Sequence, residues 1–271
     1  MEWRPAIGSN PVITLTTDFG VEDPYVGMMK AVILSIAPDV RIVDLTHGIG
    51  SHDVTEAALV IGSSHAYFPK GAIHVVVVDP GVGSSRRPLL VATEQAYFVG
   101  PDNGVLSGIY AGSTRLACLE LTATRFFRHP VSQTFHGRDV FAPVAAWLSR
   151  GVEPERFGSP VENRVALRLP EVRQSGRDGV AGTVLRVDKF GNLITNLRAE
   201  SYRERLQAGQ FILSIGVHRI HRLCRSYREV EGPEPFVIWG SLGLLEISCN
   251  QASAAKRLQA AVHDPFELSF G

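Results

Sequence analysis

Between Ile73 and Val78 the chain reads Ile-His-Val-Val-Val-Val, apolar at every position except His74. A strand with one wet face alternates polar and apolar residues. A run like this one has to be covered on both faces, which is the place of a central parallel strand between two layers of helix. The neighbouring segments supply those layers. Val12 to Thr16 reads as a short strand that ends in the turn Asp18-Phe19-Gly20. Asp23-Pro24 then reads as helix cap and first helical position, and Val26, Met29, Val32, Ile33 and Ile36 follow at helical spacing until Pro38. Arg41 to Thr46 is the next strand. Asp53 caps a second helix, with Glu56 as capping-box partner and Val54, Ala57, Ala58 and Ile61 as its apolar face. Strands at Leu89–Ala92 and Tyr97–Val99 follow, then a third helix marked by Phe141, Val144, Ala145 and Leu148, with Pro143 in its first turn. This β-α-β-α-β order predicts an α/β layer built on a mostly parallel sheet.

The pattern changes after Gly151. Residues 151–178 carry Pro154, Pro160, Pro170, several glycines and many charges, and read as a linker. Beyond it, short strands dominate: Gly182–Val187, Leu193–Thr195, Phe211–Ile215, Phe236–Trp239, Leu244–Ser248 and Phe266–Phe270. The expected organisation is an α/β catalytic domain over 1–150, the linker, and a smaller antiparallel β-barrel-like, substrate-binding domain over 179–271.

Composition excludes several classes. Lys plus Arg and Asp plus Glu both number 27, so the formal net charge is zero. A nucleic-acid binder relying on a broad basic field, or a protein held on an anionic membrane, needs an excess of positive charge. The one basic stretch, Arg219, His221, Arg222, Arg225 and Arg228, reads as a solvated strand face. Cys118, Cys224 and Cys249 are too scattered for a disulfide framework or a zinc site and read as buried reduced thiols. No apolar run approaches the ~20 residues needed to span a bilayer. The start, Met1-Glu2-Trp3-Arg4-Pro5, does not resemble a signal peptide. A cytoplasmic protein is expected.

Standard nucleotide and hydrolase motifs fail. Gly81-Val82-Gly83 begins a dinucleotide fingerprint, but Arg86 occupies the third glycine position, and neither a P-loop nor a nucleophile elbow is present. What remains is polar residues at strand ends. Asp18 follows the first strand and Asp79 the third, and open α/β sheets bind ligands outside the carboxyl ends of their strands. Phe135 and His136 lie in a second polar cluster just ahead of the third helix. In the second half, Asp188-Lys189-Phe190-Gly191-Asn192 interrupts two strands. It is either a hairpin turn or a site whose aromatic face, carboxylate and amide recognise a base. Glu246 is a carboxylate inside a strand that otherwise reads as core, and its burial demands a partner.

These residues fall in segments that resemble the SAM hydroxide adenosyltransferases, adenosine-forming hydrolases of S-adenosyl-L-methionine (SAM) related to the SAM-dependent fluorinases and chlorinases. The segments are TLTTDFGVEDPYVGMMKAVI (14–33), VDLTHGIGSHDVTEAA (43–58), IHVVVVDPGVGSSRR (73–87), PDNGVL (101–106), TFHGRDVFAPVAA (134–146), VDKFGNLITN (187–196) and GSLGLLEISCNQASAA (240–255), in that order along the chain. The resemblance implies an N-terminal α/β domain, a C-terminal β-barrel-like domain, and a homotrimer that binds SAM between the first domain of one subunit and the second domain of its neighbour. It maps a catalytic triad onto Asp79, Arg86 and His136, a ribose-binding carboxylate onto Asp18, and amino-acid and adenine contacts onto Asp188, Asn192, Ser241 and residues 249–251. The halogenating relatives carry Tyr at the places of Asp79 and His136, and Arg where this chain has Leu242. Phe135 and Phe190 join the substrate-binding set, and Glu246 becomes a candidate for the substrate ammonium.

The implied reaction is SAM plus water giving adenosine and methionine, with no cofactor or metal. Water attacks the ribose 5′ carbon and a neutral thioether leaves, so the task is to hold a poor nucleophile in line. Arg86 would stabilise hydroxide character, Asp79 would orient the water and stay ionised, and His136 would accept or relay the proton. Asp18 would accept from both ribose hydroxyls. The competing readings are a SAM-dependent halogenase, a metal-dependent hydrolase using Asp44, His47, His52, Asp53, Asp79 and His136, and a non-catalytic SAM or adenosine sensor.

Overall fold

The strand Ile73–Val77 (β3) is buried at all five positions. In the computed structural model, which describes residues 4–168 and 170–271, β3 lies in the interior of a seven-stranded sheet. Met1, Glu2 and Trp3, on which part of the amino-terminal reading rests, lie outside the described residues. The chain divides into two units, Met1–Arg168 and Leu169–Gly271.

In the first unit, Val12–Thr17 (β1) and Arg41–Thr46 (β2) run parallel to β3, as does Tyr97–Pro101 (β5) on its other side. Pro88–Thr93 (β4), Leu116–Leu121 (β6) and Gly158–Pro160 (β7) extend the sheet antiparallel, in the order β2-β1-β3-β5-β4-β6-β7. Both faces are covered, as the apolar run of β3 requires. Met29 and Ile33 of Tyr25–Ile36 (α1) and Val144 and Ala145 of Ala142–Ser149 (α4) pack on Ile13, Leu15, Val75 and Val77. On the opposite face Ala57 and Ile61 of Val54–Ser64 (α2) and Ile109 of Ser107–Gly112 (α3) pack on Val76 and Phe98.

The helix caps differ in part from expectation. Asp53 caps α2 by accepting from Glu56 N at 2.8 Å, but the Glu56 carboxylate accepts from Gly50 N, so it ties down the β2–α2 loop. Asp23 does not cap α1. Pro24 occupies that position with no side-chain cap, because its ring already sets the turn at φ −75°. The stretch 151–178 is less irregular than its composition suggests: β7 pairs with β6, and Arg173–Ser175 (β8) pairs with the second unit's sheet.

That second sheet contains Gly179–Val187 (β9), Leu193–Arg198 (β10), Phe211–Ile215 (β11), His218–Ile220 (β12), Leu223–Cys224 (β13), Pro235–Trp239 (β14), Leu244–Cys249 (β15) and Pro265–Phe270 (β16). Their order is β12-β11-β16-β9-β10-β15-β14-β13, antiparallel except between β13 and β14. The nine-residue β9 serves both halves, pairing with β16 through Gly179–Thr183 and with β10 through Val184–Val187. The fold class is therefore α/β with a second, β-rich unit, as the sequence predicts.

Candidate active site

Register explains how the first unit assembles its polar cluster. Thr17 at the end of β1 lies beside Val77 at the end of β3, so the chain leaves both strands on one edge and places Asp18 and Asp79 in one cavity. This cavity measures about 400 Å³ and also takes in Phe135 and His136. Asp18 is held through Oδ2, which accepts from His52 N at 2.9 Å, and its Oδ1 has no protein partner among the described residues. The donor comes from the loop after β2, where His52 adopts φ 66°. That loop is in turn tied to β1 by His47, whose Nδ1 lies 2.9 Å from Thr17 Oγ1 and whose Nε2 lies 3.0 Å from Asp44 Oδ1.

Asp79 and Arg86 form a closed pair. Arg86 Nε donates to Asp79 Oδ1 at 2.9 Å and Nη2 to Oδ2 at 2.5 Å, the fork geometry that suits a carboxylate. The side chains are only 5% and 8% exposed, so water screens the pair little. Arg86 Nη2 also reaches His136 Nδ1 at 2.6 Å, and the guanidinium lies over the Phe141 ring. Nη1 is buried without a protein partner among the described residues. Burial, and then the charge of Arg86, hold His136 below the usual imidazole range. A neutral ring that accepts at Nδ1 carries its hydrogen on Nε2.

Two local features bring these groups together. Gly83, at φ 78°, turns the 79–87 loop against the carbonyl of Gln133, where a Cβ would overlap that oxygen. The segment before α4 is pinned by the buried Asp139, which accepts from Arg138, Arg128 and Ser132 N. Burial alone would raise the Asp139 pKa, but these partners outweigh it and hold it below the usual value.

Sequence reading missed the aromatic wall of this cavity. Phe19 and Tyr25 meet Phe135 with ring centroids 5.7 and 5.3 Å away. The available signal was a pair of aromatics, Phe19 and Tyr25, bracketing the turn Gly20–Pro24. Among the described residues no three His, Cys, Asp or Glu side chains come together as a metal-binding group. Asp44 pairs with Lys30 and His47, and Asp53 caps α2.

The second unit has a larger cavity of about 1090 Å³, bordered by Asp188, Phe190, Asn192, Ser241 and Glu246. All five expected residues of this half converge there. Asp188 Oδ1 accepts from Phe190 N and Asn192 N at 2.9 and 2.8 Å, and Oδ2 from Asn192 Nδ2 at 2.9 Å. The turn thus presents Phe190, 76% exposed, as a free aromatic face. Glu246 is buried and accepts from Tyr227 OH at 3.0 Å through Oε2. Burial pushes its pKa up, the hydrogen bond from Tyr227 opposes this, and the charge of Asp188 adds to the rise. Tyr227 is pushed up to about 12, by burial first and then by Glu246. Tyr227, Trp239 and Arg225 also line the cavity and were not foreseen. Tyr227 and Arg225 lie in or beside the basic stretch that reads as a solvated face, and no periodicity sets them apart.

Residues 13–158 match the SAM hydroxide adenosyltransferase N-terminal domain, and residues 182–267 match the SAM hydroxide adenosyltransferase C-terminal domain. A curated relative from Thermus thermophilus, (R)-S-adenosyl-L-methionine hydrolase, is 39% identical over 255 residues, covering 92% of this chain and 95% of the relative. A fluorinase from an Actinoplanes species is 26% identical over 219 residues, covering 71% of this chain and 73% of its own. The crystal structure of an uncharacterized conserved protein from Thermotoga maritima aligns with a TM-score of 0.89 at 33% identity, over 95% of this chain and 99% of that one. Matches to both domains over most of the sequence show that the chain belongs to the SAM hydroxide adenosyltransferase family.

Proposed function

We propose that this protein hydrolyses S-adenosyl-L-methionine to adenosine and methionine. The observation that carries the reading is the buried Asp79–Arg86–His136 constellation beside Asp18 at the carboxyl ends of β3 and β1. The name of the Thermus relative specifies the R form of the substrate, and we extend that form to this chain.

In the proposed reaction the water oxygen bonds to the ribose 5′ carbon. The carbon–sulfur bond breaks with its electron pair going to sulfur, and neutral methionine leaves. Attack makes the oxygen positive, so its proton departs readily and a carboxylate need not be a strong base to take it. Asp79 orients the water and receives that proton before it passes to solvent. Arg86 keeps Asp79 in place with Nε and Nη2, and its Nη1, without a partner among the described residues, is the group left to donate to the water oxygen and hold it before attack. With Nδ1 already accepting from Arg86, His136 serves better as an orienting group than as the proton acceptor. Asp18 keeps Oδ1 free for the ribose hydroxyls. In the second unit Phe190 and Asn192 suit the adenine, and Asp188, Ser241 and Glu246 the amino-acid end.

A halogenase needs a halide where Asp79 stands, and that carboxylate would repel it. We further propose a homotrimer in which each substrate is shared between the first unit of one subunit and the second unit of the next. No helix among the described residues is long and apolar enough to cross a membrane. A cytoplasmic location suits the three free, buried cysteines.

The test is incubation of purified protein with SAM containing both sulfonium epimers, with and without EDTA, followed by chromatography of the nucleosides. Adenosine should form from the R epimer and persist after chelation. Absence of adenosine would sink the hydrolase reading. Loss with EDTA and rescue by one divalent ion would favour the metal-dependent hydrolase.

A further inference from the structure

The cavity of the second unit is bordered by two carboxylates, Asp188 and Glu246, and one guanidinium, that of Arg225. Protein groups satisfy the three to different degrees. Asp188 already receives three hydrogen bonds from its own turn. Glu246 receives one, from Tyr227 on Oε2, and its other oxygen lies against Gly240, where any Cβ would overlap it. Arg225 is held by its backbone, whose N–H lies 3.2 Å from both carboxylate oxygens of Glu229. Its side chain makes no hydrogen bond or ion pair among the described residues. Arg219, Arg222 and Arg228, from the same stretch, are not among the residues lining the cavity.

We propose that Arg225 binds the carboxylate of the substrate's amino-acid tail while Glu246 faces its ammonium, so that the cavity selects a substrate with an intact α-amino acid. The assignment rests on the hydrolase reading above. A zwitterion leaves water at low cost only if each of its charges meets an opposite one. A guanidinium grips both oxygens of a carboxylate at once, which makes arginine the fitting residue type. Leu242, next to Ser241, brings no charge to this rim. Burial raises Glu246 toward its protonated form, and a cationic ligand group would restore its ionised form.

The experiment compares SAM with its decarboxylated analogue, S-adenosyl-3-methylthiopropylamine, on wild-type, Arg225→Ala and Arg225→Lys proteins. Arg225 is exposed, and matched thermal melts check the fold of the variants. Wild type should prefer SAM. Arg225→Ala should lower kcat/KM for SAM about 10-fold or more, mainly through KM, as expected for loss of a charge-assisted contact. It should leave the decarboxylated substrate nearly unchanged, and Arg225→Lys should recover part of the preference. Equal losses on both substrates would mean that Arg225 serves the shared adenosyl portion and would overturn the assignment. So would unchanged SAM kinetics in Arg225→Ala, or a wild type indifferent to the carboxylate. A wild type inactive on both compounds would instead bring down the hydrolase reading, and this inference with it.

Discussion

Asp18 and Asp79 are the same residue type on adjacent strand ends, yet they should fail in opposite ways. Asp18 has one oxygen without a partner among the described residues, and in the proposed reaction it holds the ribose before and during attack. Asp18→Ala should therefore raise KM by the equivalent of ~1.5–3 kcal/mol and leave kcat largely intact. Asp79→Asn keeps the shape but turns an amide donor toward the donors of Arg86. Substrate should still bind, and kcat should fall by roughly 10² or more. The same change leaves a buried guanidinium without its counter-charge, so the urea midpoint should drop as well. Steady-state kinetics and calorimetric SAM binding on both variants, beside urea melts, check the pair. Normal turnover in Asp79→Asn would reduce Asp79 to a turn residue.

At the level of elements, the central strand predicts acid sensitivity. His74 is fully buried on β3, with Nδ1 2.8 Å from Thr14 Oγ1 and its ring stacked on Phe98. Burial first, and His65 second, push its pKa down to about 3. The unfolded chain takes up a proton here near the ordinary histidine value of ~6.5, and the native state does not. The resulting stability is fully present above that value and is lost as pH falls from about 6.5 toward about 3. At pH 5 the loss from this group amounts to ~2 kcal/mol. In urea unfolding at pH 8 and pH 5, His74→Asn should be less stable than wild type at pH 8 and should lose less between the two pH values. An unchanged pH dependence in that variant would assign the acid sensitivity elsewhere.

The same scale shows what could be read from sequence. α1 and α2 were legible because each buries an apolar stripe of helical period, β1 and β3 because their short β-rich runs need cover on both faces, and the β-rich second half because its apolar runs are short. Ser107–Gly112 was not, since six residues cannot show a helical period. Ala199–Ala208 (α5) was not, since of its ten residues only Ala199 and Leu206 are buried. Asp18 and Asp79 stood out through their place at strand ends, and Glu246 through its conflict with an apolar strand. Arg225 and Tyr227 acquire meaning only from the pairing of β14 with β15 and the turn before them.

The whole molecule sets the remaining question, which is how many chains build one site. Each unit holds part of the proposed site: Asp18, Asp79, Arg86 and His136 in the first, Asp188, Asn192 and Glu246 in the second. The first unit also exposes Val21, Tyr25 and Met28, the last two from α1, and Tyr25 lines the cavity that holds Asp18 and Asp79. Exposed apolar side chains in this segment, one of them at the rim of a polar cavity, suit coverage by another protein surface. If the first unit of one subunit works with the second unit of its neighbour, two inactive variants should complement each other. Asp79→Ala removes the group proposed to orient the water, and Asn192→Ala removes the amide that braces Asp188. Co-refolded at equal amounts, half of the first units and half of the second units remain intact. Random assembly then leaves about a quarter of the sites with both halves whole, whatever the size of the ring. Activity should rise from the background of either variant toward about a quarter of wild type, and mass spectrometry of the intact oligomers should confirm that the chains are mixed. Verified mixed oligomers with no recovery would place each complete site within a single chain.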